Sequence, residues 1–446
     1  MAKKETRHSE HFDKLSASLA SESENIDAPY ELPNGWTWAR LGDFIDTYRG
    51  VSYKKTDVHS ERLENDCLIM RGGNIDEGKI NTETDNVYVD KSLVSQNQFV
   101  QNNDVIIVTS TGSTKVIGRA GISYQNYSDV AFGAFLTLAR PNGKAEKAFV
   151  NQYFQSPLYR ERIRQLASGV NINNIRLEYI TESPFPLPPI LAEQQRIVNR
   201  IETMFAKLDQ AQEKAQSVVD SFETRKAAIL HKAFTGQLTA KWRKENGVSD
   251  DSWEEKTIGE LYAINPKIKA DDDITASFIP MEKIEANAVN SFSFEVKAWG
   301  SIKKNHTQFQ DGDVCFAKIS PCFENGKAFI AEGLENGIGA GTTELIILRN
   351  ADIDTHFTFY LVTDLSFVRG GCATYSGTVG QQRINMDYVR NYKVSLPSLP
   401  EQQEIVRILD NVLEKESRAK EAAQTVLDQI ALLKKSILAR AFRGEL

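Results

Sequence analysis

The sequence lacks long hydrophobic runs and a leading apolar segment. None of its 446 residues falls in a stretch near the roughly 18 apolar residues that a membrane-spanning helix needs. The start, from Met1 to Thr6, is polar and lacks the apolar core of a secretion signal. A hydrophobic content of 41% is that of a folded chain, and the length favours two to four domains. We therefore expect a multidomain cytoplasmic protein.

Cysteine is also scarce. The four cysteines stand at positions 67, 315, 322 and 372, without a Cys-x-x-Cys pair, and the six histidines are scattered. This spacing supports neither a zinc site nor a disulfide framework. We expect four inert thiols and no bound metal.

Motifs for catalysis are missing as well. Residues 73–79 have the spacing of a phosphate-binding loop, but Ile80 occupies the position of the Mg²⁺-binding Ser or Thr. Asn265-Pro266-Lys267 is not the Asn/Asp-Pro-Pro-aromatic run of an amino-methyltransferase. The glycines of 337–341 lack dinucleotide-loop spacing. The chain is therefore predicted to be non-catalytic, without catalytic residues.

Excess positive charge is absent too, since the net charge is −7 and no segment forms a basic tail. This charge argues against a simple cationic nucleic-acid binder. Any contact with DNA must come from local patches or be shared with a partner.

What the sequence does contain is an internal repeat. Residues 191–198 return at 399–406, and residues 228–238 return at 436–446, both with an offset of 208. Weaker echoes lie between them, such as 103–105 with 312–314. The order is globular, helical, globular, helical. The predicted divisions are an extension at 1–30, globular domains at 31–190 and 247–398, and helical spacers at 191–246 and 399–446.

The helical copies carry heptads of a coiled coil. Their apolar seam positions include Ile197, Ile201, Leu208, Phe222 and Ile229, and Ile405, Leu409, Val426, Ile430 and Ile437. Arg225 and Glu416 interrupt the pattern. Homodimerisation is one interpretation; antiparallel pairing within the chain is favoured because each helix already has a matched partner.

The globular blocks indicate an α+β fold with two mixed α/β domains. Buried strands are predicted at 105–108, 136–138, 314–317 and 345–348, with short helices over 147–166 and 355–369. The full expectation is two such domains separated by two long antiparallel helices, with pseudo-twofold symmetry.

Loops that mix cations, small polar residues and glycine are the candidate DNA contacts. Ordinary hydrophilic turns are the alternative for each loop. In the first domain the candidates are Arg49, Ser52, Lys54, Lys55, Arg71, Asn74, Ser110, Thr111, Ser113, Lys115, Asn171, Asn173 and Asn174. In the second they are Lys303, Lys304, Lys318, Ser320, Asn325, Lys327, Ser376, Thr378, Gln381, Gln382 and Arg383.

This duplicated arrangement resembles the specificity subunits of type I restriction-modification systems. The resemblance is carried by the proline-led Glu-Gln-Gln helix starts at 187–195 and 396–403, by the helix ends at 233–238 and 441–446, by the Trp-containing domain starts and by 169–174. It extends over nearly the whole chain after residue 30. Residues 1–30 match no family motif and are expected to be loosely ordered.

The resemblance implies that each globular block reads one half of a split DNA target. The helices then set the gap between the half-sites, much as a rigid dimer fixes half-site spacing. It also implies two modification subunits that use S-adenosylmethionine to methylate adenine N6, and two restriction subunits that use ATP and Mg²⁺. This chain itself holds no cofactor.

Two other functions remain as alternatives. The rod could carry a scaffold for protein or carbohydrate ligands, which a gel-shift assay with modification partners separates from DNA reading. The chain could also be a self-sufficient modification enzyme, against which the missing methyltransferase motif argues.

Overall fold

The computed structural model describes residues 26–168, 174–378 and 380–446. The chain divides into two units. Unit 1 consists of the described part of Met1–Ala215 together with Thr425–Leu446, and unit 2 of Gln216–Gln424 without residue 379. Each unit therefore joins one globular domain to a stretch of both long helices.

Domain 1 lies in unit 1 and is built on short strands. They are β1 (Thr37–Arg40), β2 (Ile45–Arg49), β3 (Asp66–Met70), β4 (Ile75–Asp76), β5 (Lys79–Ile80), β6 (Tyr88–Asp90), β7 (Val105–Val108), β8 (Ala120–Ile122), β9 (Val130–Phe132), β10 (Leu136–Pro141) and β11 (Pro184–Leu187). One antiparallel sheet has the order β2-β10-β7-β8, and a second has the order β6-β3-β9 with β3 parallel to β9. β1 pairs with β11 and β4 with β5.

Three helices complete domain 1: α1 (Lys147–Gln155), α2 (Pro157–Ser168) and α3 (Leu177–Thr181). Phe149, Val150, Tyr153 and Phe154 form one buried face of α1, as the spacing of an amphipathic helix requires. A proline begins α2, where its missing N–H costs no hydrogen bond. The prediction of helix over 147–166 is confirmed, with a break at Ser156.

Domain 2 lies in unit 2 and repeats the plan. Its strands are β12 (Glu254–Thr257), β13 (Ala263–Ile264), β14 (Thr275–Ile279), β15 (Glu295–Ala298), β16 (Thr307–Gln310), β17 (Val314–Ala317), β18 (Ala328–Ile330), β19 (Ile338–Gly341), β20 (Leu345–Arg349) and β21 (Lys393–Leu396). Its helices, numbered after the three of the first spacer, are α7 (Ile258–Leu261), α8 (Trp299–Ile302), α9 (Thr355–Thr363), α10 (Leu365–Cys372) and α11 (Met386–Asn391).

The two domains share a sheet topology. The order β13-β20-β17-β18 matches β2-β10-β7-β8, and β14 is parallel to β19 as β3 is to β9. A buried aspartate holds each main sheet: Asp104 accepts two hydrogen bonds of 2.7 Å from Arg140, and Asp313 accepts two of 2.6 Å from Arg349. The echo of 103–105 in 312–314 is thus a structural element of the sheet, and the mixed α/β prediction is confirmed.

The spacer helices are α4 (Leu191–Asp220), α5 (Phe222–Phe234), α6 (Ala240–Glu245) and α12 (Leu399–Phe442). In unit 1, Lys434 of α12 forms an ion pair with Asp209 of α4, and Arg196 of α4 donates to Leu446 O at 2.7 Å. In unit 2, Lys420 lies 3.8 Å from Glu223, and Glu401 lies 2.7 Å from Arg243. In each unit the partner numbers fall as the chain rises, so the helices are antiparallel. The predicted pairing within the chain is confirmed in both units.

The heptads predicted one continuous helix for the first spacer, but the structure interrupts this helix. A turn at Ser221 separates α4 from α5, although the backbone ladder continues through Ser221 N–H to Ser217 C=O at 3.1 Å. The Ser221 hydroxyl also donates to the Ser217 carbonyl. Such a bond back to the preceding turn bends helices, which explains the interruption.

The predicted seam residues differ in burial. Ile197, Ile201, Ile405, Leu409 and Ile430 are buried. Leu208, Phe222, Ile229 and Ile437 are half-buried, and Val426 is 39% exposed. The two residues that interrupted the heptads contact each other, because Arg225 Nε donates to Glu416 Oε2 at 2.7 Å. What looked like two separate defects is one ion pair in unit 2.

The repeated Glu-Gln-Gln motif attaches each domain to its helix pair. Gln194 accepts a hydrogen bond from Glu146 N at 2.8 Å, just before α1. Gln402 accepts one from Asp354 N at 2.9 Å, just before α9, and donates to Pro397 O at 2.8 Å. Both glutamines are buried, so their amides satisfy backbone groups that water cannot reach.

The helix ends also meet the domains in the same way. Phe442 packs on Phe149 with ring centroids 5.0 Å apart, and Phe234 packs on Phe357 at 5.4 Å. Tyr30 donates to Phe442 O at 2.8 Å. The expectation that 1–30 are loosely ordered is therefore wrong at Tyr30, and residues 1–25 lie outside the described part. Among the described residues, no helix is long and apolar enough to cross a membrane.

Candidate nucleic-acid interface

A cleft of about 500 Å³ opens at one end of the main sheet of domain 1. Arg49 at the end of β2, Ser110 after β7, Phe135 before β10 and Asn174 line it, with Arg176. These residues lie far apart in the sequence, and the strand order β2-β10-β7 brings them together. Arg49, Ser110 and Asn174 were predicted contacts; Phe135 and Arg176 were missed.

The backbone holds this cleft rigidly. Phe135 C=O accepts hydrogen bonds of 3.1 Å from Thr109 N and Ser110 N, and another of 3.1 Å from the Thr109 hydroxyl. Ser110 forms a β-bridge with Asn174, and Ile175 N donates to Thr109 O at 2.8 Å. The side chain of Phe135 is nevertheless 69% exposed, because its carbonyl and not its ring is anchored.

Arg160 supports the neighbouring candidate loop from inside. This residue of α2 is 7% exposed and donates to Ile117 O at 3.0 Å and to Lys115 O at 3.4 Å. Burial lowers its pKa, and the nearby Arg164 lowers it further. Lys115 is left exposed by this arrangement, while Thr111 and Ser113 are half-buried and joined through Thr111 Oγ1 at 3.3 Å from Ser113 N.

The other candidates of domain 1 fall into three groups. Ser52, Lys54 and Lys55 are exposed after β2. Arg71 is exposed and forms an ion pair with Asp85. Asn171 and Asn173 lie outside the described residues.

Asn74 is excluded as a DNA contact. It is fully buried, and its side chain accepts from Arg71 N at 2.8 Å and donates to Asn81 O at 3.0 Å and to Thr84 O at 2.6 Å. The glycine-containing turn that suggested phosphate binding is folded around this amide.

Domain 2 has a cleft of about 490 Å³ at the equivalent end of its main sheet. Lys304 and Lys318, both predicted, line it together with Lys267, His306 and Asn265, which were not. Lys303 points to Asp272, with which it forms an ion pair. The strand order brings β13, β17 and β20 to this edge, so residues near 265 meet Lys318 although the sequence separates them.

A second loop borders Lys318. Ser320 N donates to Gln382 O at 2.8 Å, and Ser376 N donates to Arg383 O at 3.1 Å. Arg383 binds Glu344 through two hydrogen bonds of 3.0 and 2.8 Å, which lowers the pKa of Glu344 and raises that of Arg383. Thr378 and Gln381 are exposed and Gln382 is half-buried.

Lys327 was predicted to contact DNA, but its side chain is used within domain 2. Its ammonium group donates to Met281 O at 2.8 Å and is half-buried, so it serves the fold of domain 2. The neighbouring Asn325 has an exposed side chain, and its carbonyl accepts from Asn287 N at 2.7 Å. Both lie away from the cleft that Lys318 lines.

The chemistry of these residues suits binding. Within the described part of the chain, no group of three or more His, Cys, Asp or Glu residues could hold a metal ion. Burial raises the pKa of the Cys67 thiol to about 12 and that of Cys315 well above its ordinary value, which keeps both thiols protonated and unreactive. What the two clefts offer is cations, amides, hydroxyls and, in domain 1, one exposed aromatic ring.

Comparison with known proteins places this architecture in a family. A profile for the "Type I restriction modification DNA specificity domain" matches residues 33–218 and 250–426. The EcoKI specificity subunit of Escherichia coli (strain K12) is 28% identical over 421 residues, which is 93% of this chain and 90% of that protein. The StySPI specificity subunit of Salmonella potsdam is 28% identical over 432 residues, with the same coverage.

Solved structures support the fold. The HsdS subunit from Thermoanaerobacter tengcongensis matches with a TM-score of 0.57 at 18% identity, covering 94% of this chain and all of that one. A chain from work on complex assembly and conformational transition of the type I R-M system matches with a TM-score of 0.68 at 18% identity, again over 94% and 100%. With the profile found twice over most of its length, the chain belongs to the DNA specificity subunits of type I restriction-modification systems.

Proposed function

We propose that domain 1 and domain 2 each read one half of a bipartite, asymmetric DNA target. The observation that carries this proposal is the pair of clefts at equivalent sheet edges, lined by different side chains. Equal architecture gives both domains the same approach to a duplex, and unequal linings give them different base preferences. Side chains that reach base edges carry sequence information, whereas contacts with phosphates only position the protein.

The helices set the gap between the two half-sites. α12 runs for 44 residues, which is about 66 Å at ~1.5 Å per residue, and it pairs with the first spacer in both units. A paired helix of this length resists bending, so the spacing between half-sites becomes a property of the chain. The same helices dock two modification subunits, one beside each half-site.

The chemistry of the complex resides in the partners. The two modification subunits use S-adenosylmethionine to methylate adenine N6, a step that requires the adenine to leave the base stack. Two restriction subunits add ATP- and Mg²⁺-dependent translocation and cleavage. This chain supplies sequence recognition, holds no cofactor and works in the cytoplasm. Its net charge of −7 fits a complex in which the partners provide much of the attraction to phosphates.

A domain exchange tests the proposal. Residues 31–187 are replaced by the corresponding domain of another specificity subunit, and the methylome of a host that expresses the complete system is sequenced. We expect one half of the methylated sequence to change while the other half and the gap persist. Loss of both halves, or no change in either, would contradict modular reading.

A further inference from the structure

Three positions at one end of the main sheet are equivalent in the two domains; all three line the cleft of domain 1, and the first lines the cleft of domain 2. Thr109, Phe135 and Asn174 form the neutral triad of domain 1, and Lys318, Glu344 and Arg383 form the charged triad of domain 2. Each pair of counterparts is separated by 209 residues.

The backbone of the two triads is connected identically. Thr109 N donates to Phe135 O at 3.1 Å, and Lys318 N donates to Glu344 O at 2.8 Å. The next residue of each strand, Ser110 or Ile319, forms an antiparallel bridge with Asn174 or Arg383. The two frames therefore share these contacts, while the side chains that they carry differ.

Those side chains offer opposite chemistry. The neutral triad places an aromatic ring, 69% exposed, beside a hydroxyl and an amide. The ring stands on a turn whose carbonyl accepts three hydrogen bonds, so the backbone is held without the ring and the ring faces solvent. The charged triad has no apolar group: Glu344 fixes Arg383 through two hydrogen bonds, and Lys318 lines the cleft.

We propose that these triads are specificity-determining positions for the two half-sites, an inference that rests on the proposed reading of DNA. Phe135 contacts the 5-methyl group of a thymine, the one apolar feature that base edges present in the major groove. Lys318 donates to the O6 and N7 acceptors of a guanine, beside the Arg383 that Glu344 holds in place. Domain 1 thus requires a thymine in its half-site, and domain 2 a guanine.

The test uses the full chain assembled with its modification subunits, and it measures methylation of duplexes altered one base at a time. Deoxyuridine replaces each thymine in turn to remove the methyl group, and 7-deazaguanine replaces each guanine to remove N7. We expect one thymine of one half-site at which deoxyuridine slows methylation about five-fold or more. Phe135→Ala loses this sensitivity and leaves the other half-site unchanged. Lys318→Gln likewise loses sensitivity to 7-deazaguanine at one guanine of the other half-site.

Tyr124→Ala is the matched control, because Tyr124 is an aromatic residue of domain 1 that is 72% exposed and lies outside the cleft. It should keep the full wild-type pattern. If methylation by the wild-type complex does not depend on base sequence, the proposed function itself is contradicted. If the wild type is sequence-specific, the triad inference alone would be overturned by a deoxyuridine pattern that persists in Phe135→Ala, or by a domain 1 half-site that contains no thymine. For domain 2, it would be overturned by sensitivity to 7-deazaguanine that persists in Lys318→Gln, or by a half-site that contains no guanine.

Discussion

The ion pair between Arg225 and Glu416 gives a sharp test of how the helices keep their register. Arg225 Nε lies 2.7 Å from Glu416 Oε2, and the two side chains are 34% and 25% exposed. Arg225 also donates to Val218 O at 3.3 Å. A polar pair in an apolar seam favours one alignment of two helices, because any shift separates the charges and leaves them beside apolar side chains.

The magnitude follows from this partial burial. A hydrogen bond to a charged group contributes about 1.5–3 kcal/mol net, and the solvent access of this pair reduces that to about 1–2 kcal/mol. We expect Arg225→Leu and Glu416→Leu each to lower the free energy of unfolding of unit 2 by that amount. The double Leu variant should recover most of the loss, since apolar replacement of both partners is often neutral or stabilising.

The assay is a double-mutant cycle in urea, with hydrogen exchange of peptides from α5 and α12 as the local readout, because a chain of two units need not unfold in one step. Arg418 and Glu414, an ion pair on α12 whose side chains are 73% and 61% exposed, serve as the control and should show no resolvable coupling. Losses in the double Leu variant that equal the sum of the two single variants would refute the reasoning, because the two side chains would then act independently.

Two further changes probe the spacer and the loop support. Four residues inserted into both helices, after Ala215 and after Gln424, add about 6 Å and should lengthen the methylated target by one or two base pairs; an unchanged gap in the methylome would reject the proposal that the helices set it. Arg160→Ala removes the donors to the Lys115 and Ile117 carbonyls and should cost about 1–3 kcal/mol of domain 1 stability in denaturant titration, with methylation weakened. Arg160→Lys should retain part of the domain 1 stability and part of the methylation. Equal losses in the two variants would argue against the role of Arg160 in supporting the loop.

Periodicity and repetition in the sequence were enough to predict the helix pairing and the shared domain plan. The heptads of the spacers require a partner, and the Glu-Gln-Gln motif recurs because Gln194 and Gln402 make the same backbone hydrogen bonds. Local patterns were less informative about side-chain roles. Asn74 stands in a glycine-containing turn that suggests ligand binding, yet its amide is consumed by the fold. Arg160 looks like one of several charges on a solvated helix, and only the packing shows it beneath a loop.

The cleft residues that the sequence did not indicate depend on strand order. Lys267 and Lys318 share a cleft because β13 and β17 both lie beside β20. Because 50 residues separate the two lysines in the sequence, no local pattern predicts that they lie together. Phe135 was missed for another reason: an isolated aromatic residue is more often part of a core, and its exposure follows only from the turn that anchors its carbonyl.

The internal duplication separates the residues that build a domain from those that distinguish it. Asp104 with Arg140 and Asp313 with Arg349 are the same pair in the same place, so both copies keep them for stability. At one end of the main sheet the two copies also share backbone contacts, but Phe135 stands where Glu344 stands in the other copy. A change in a buried pair therefore damages one domain as a whole, whereas a change at that end of the sheet leaves the domain folded and alters its surface chemistry. If the proposed reading of DNA is right, such a chain can acquire a new half-site by few substitutions, because recognition and folding would depend on different residues.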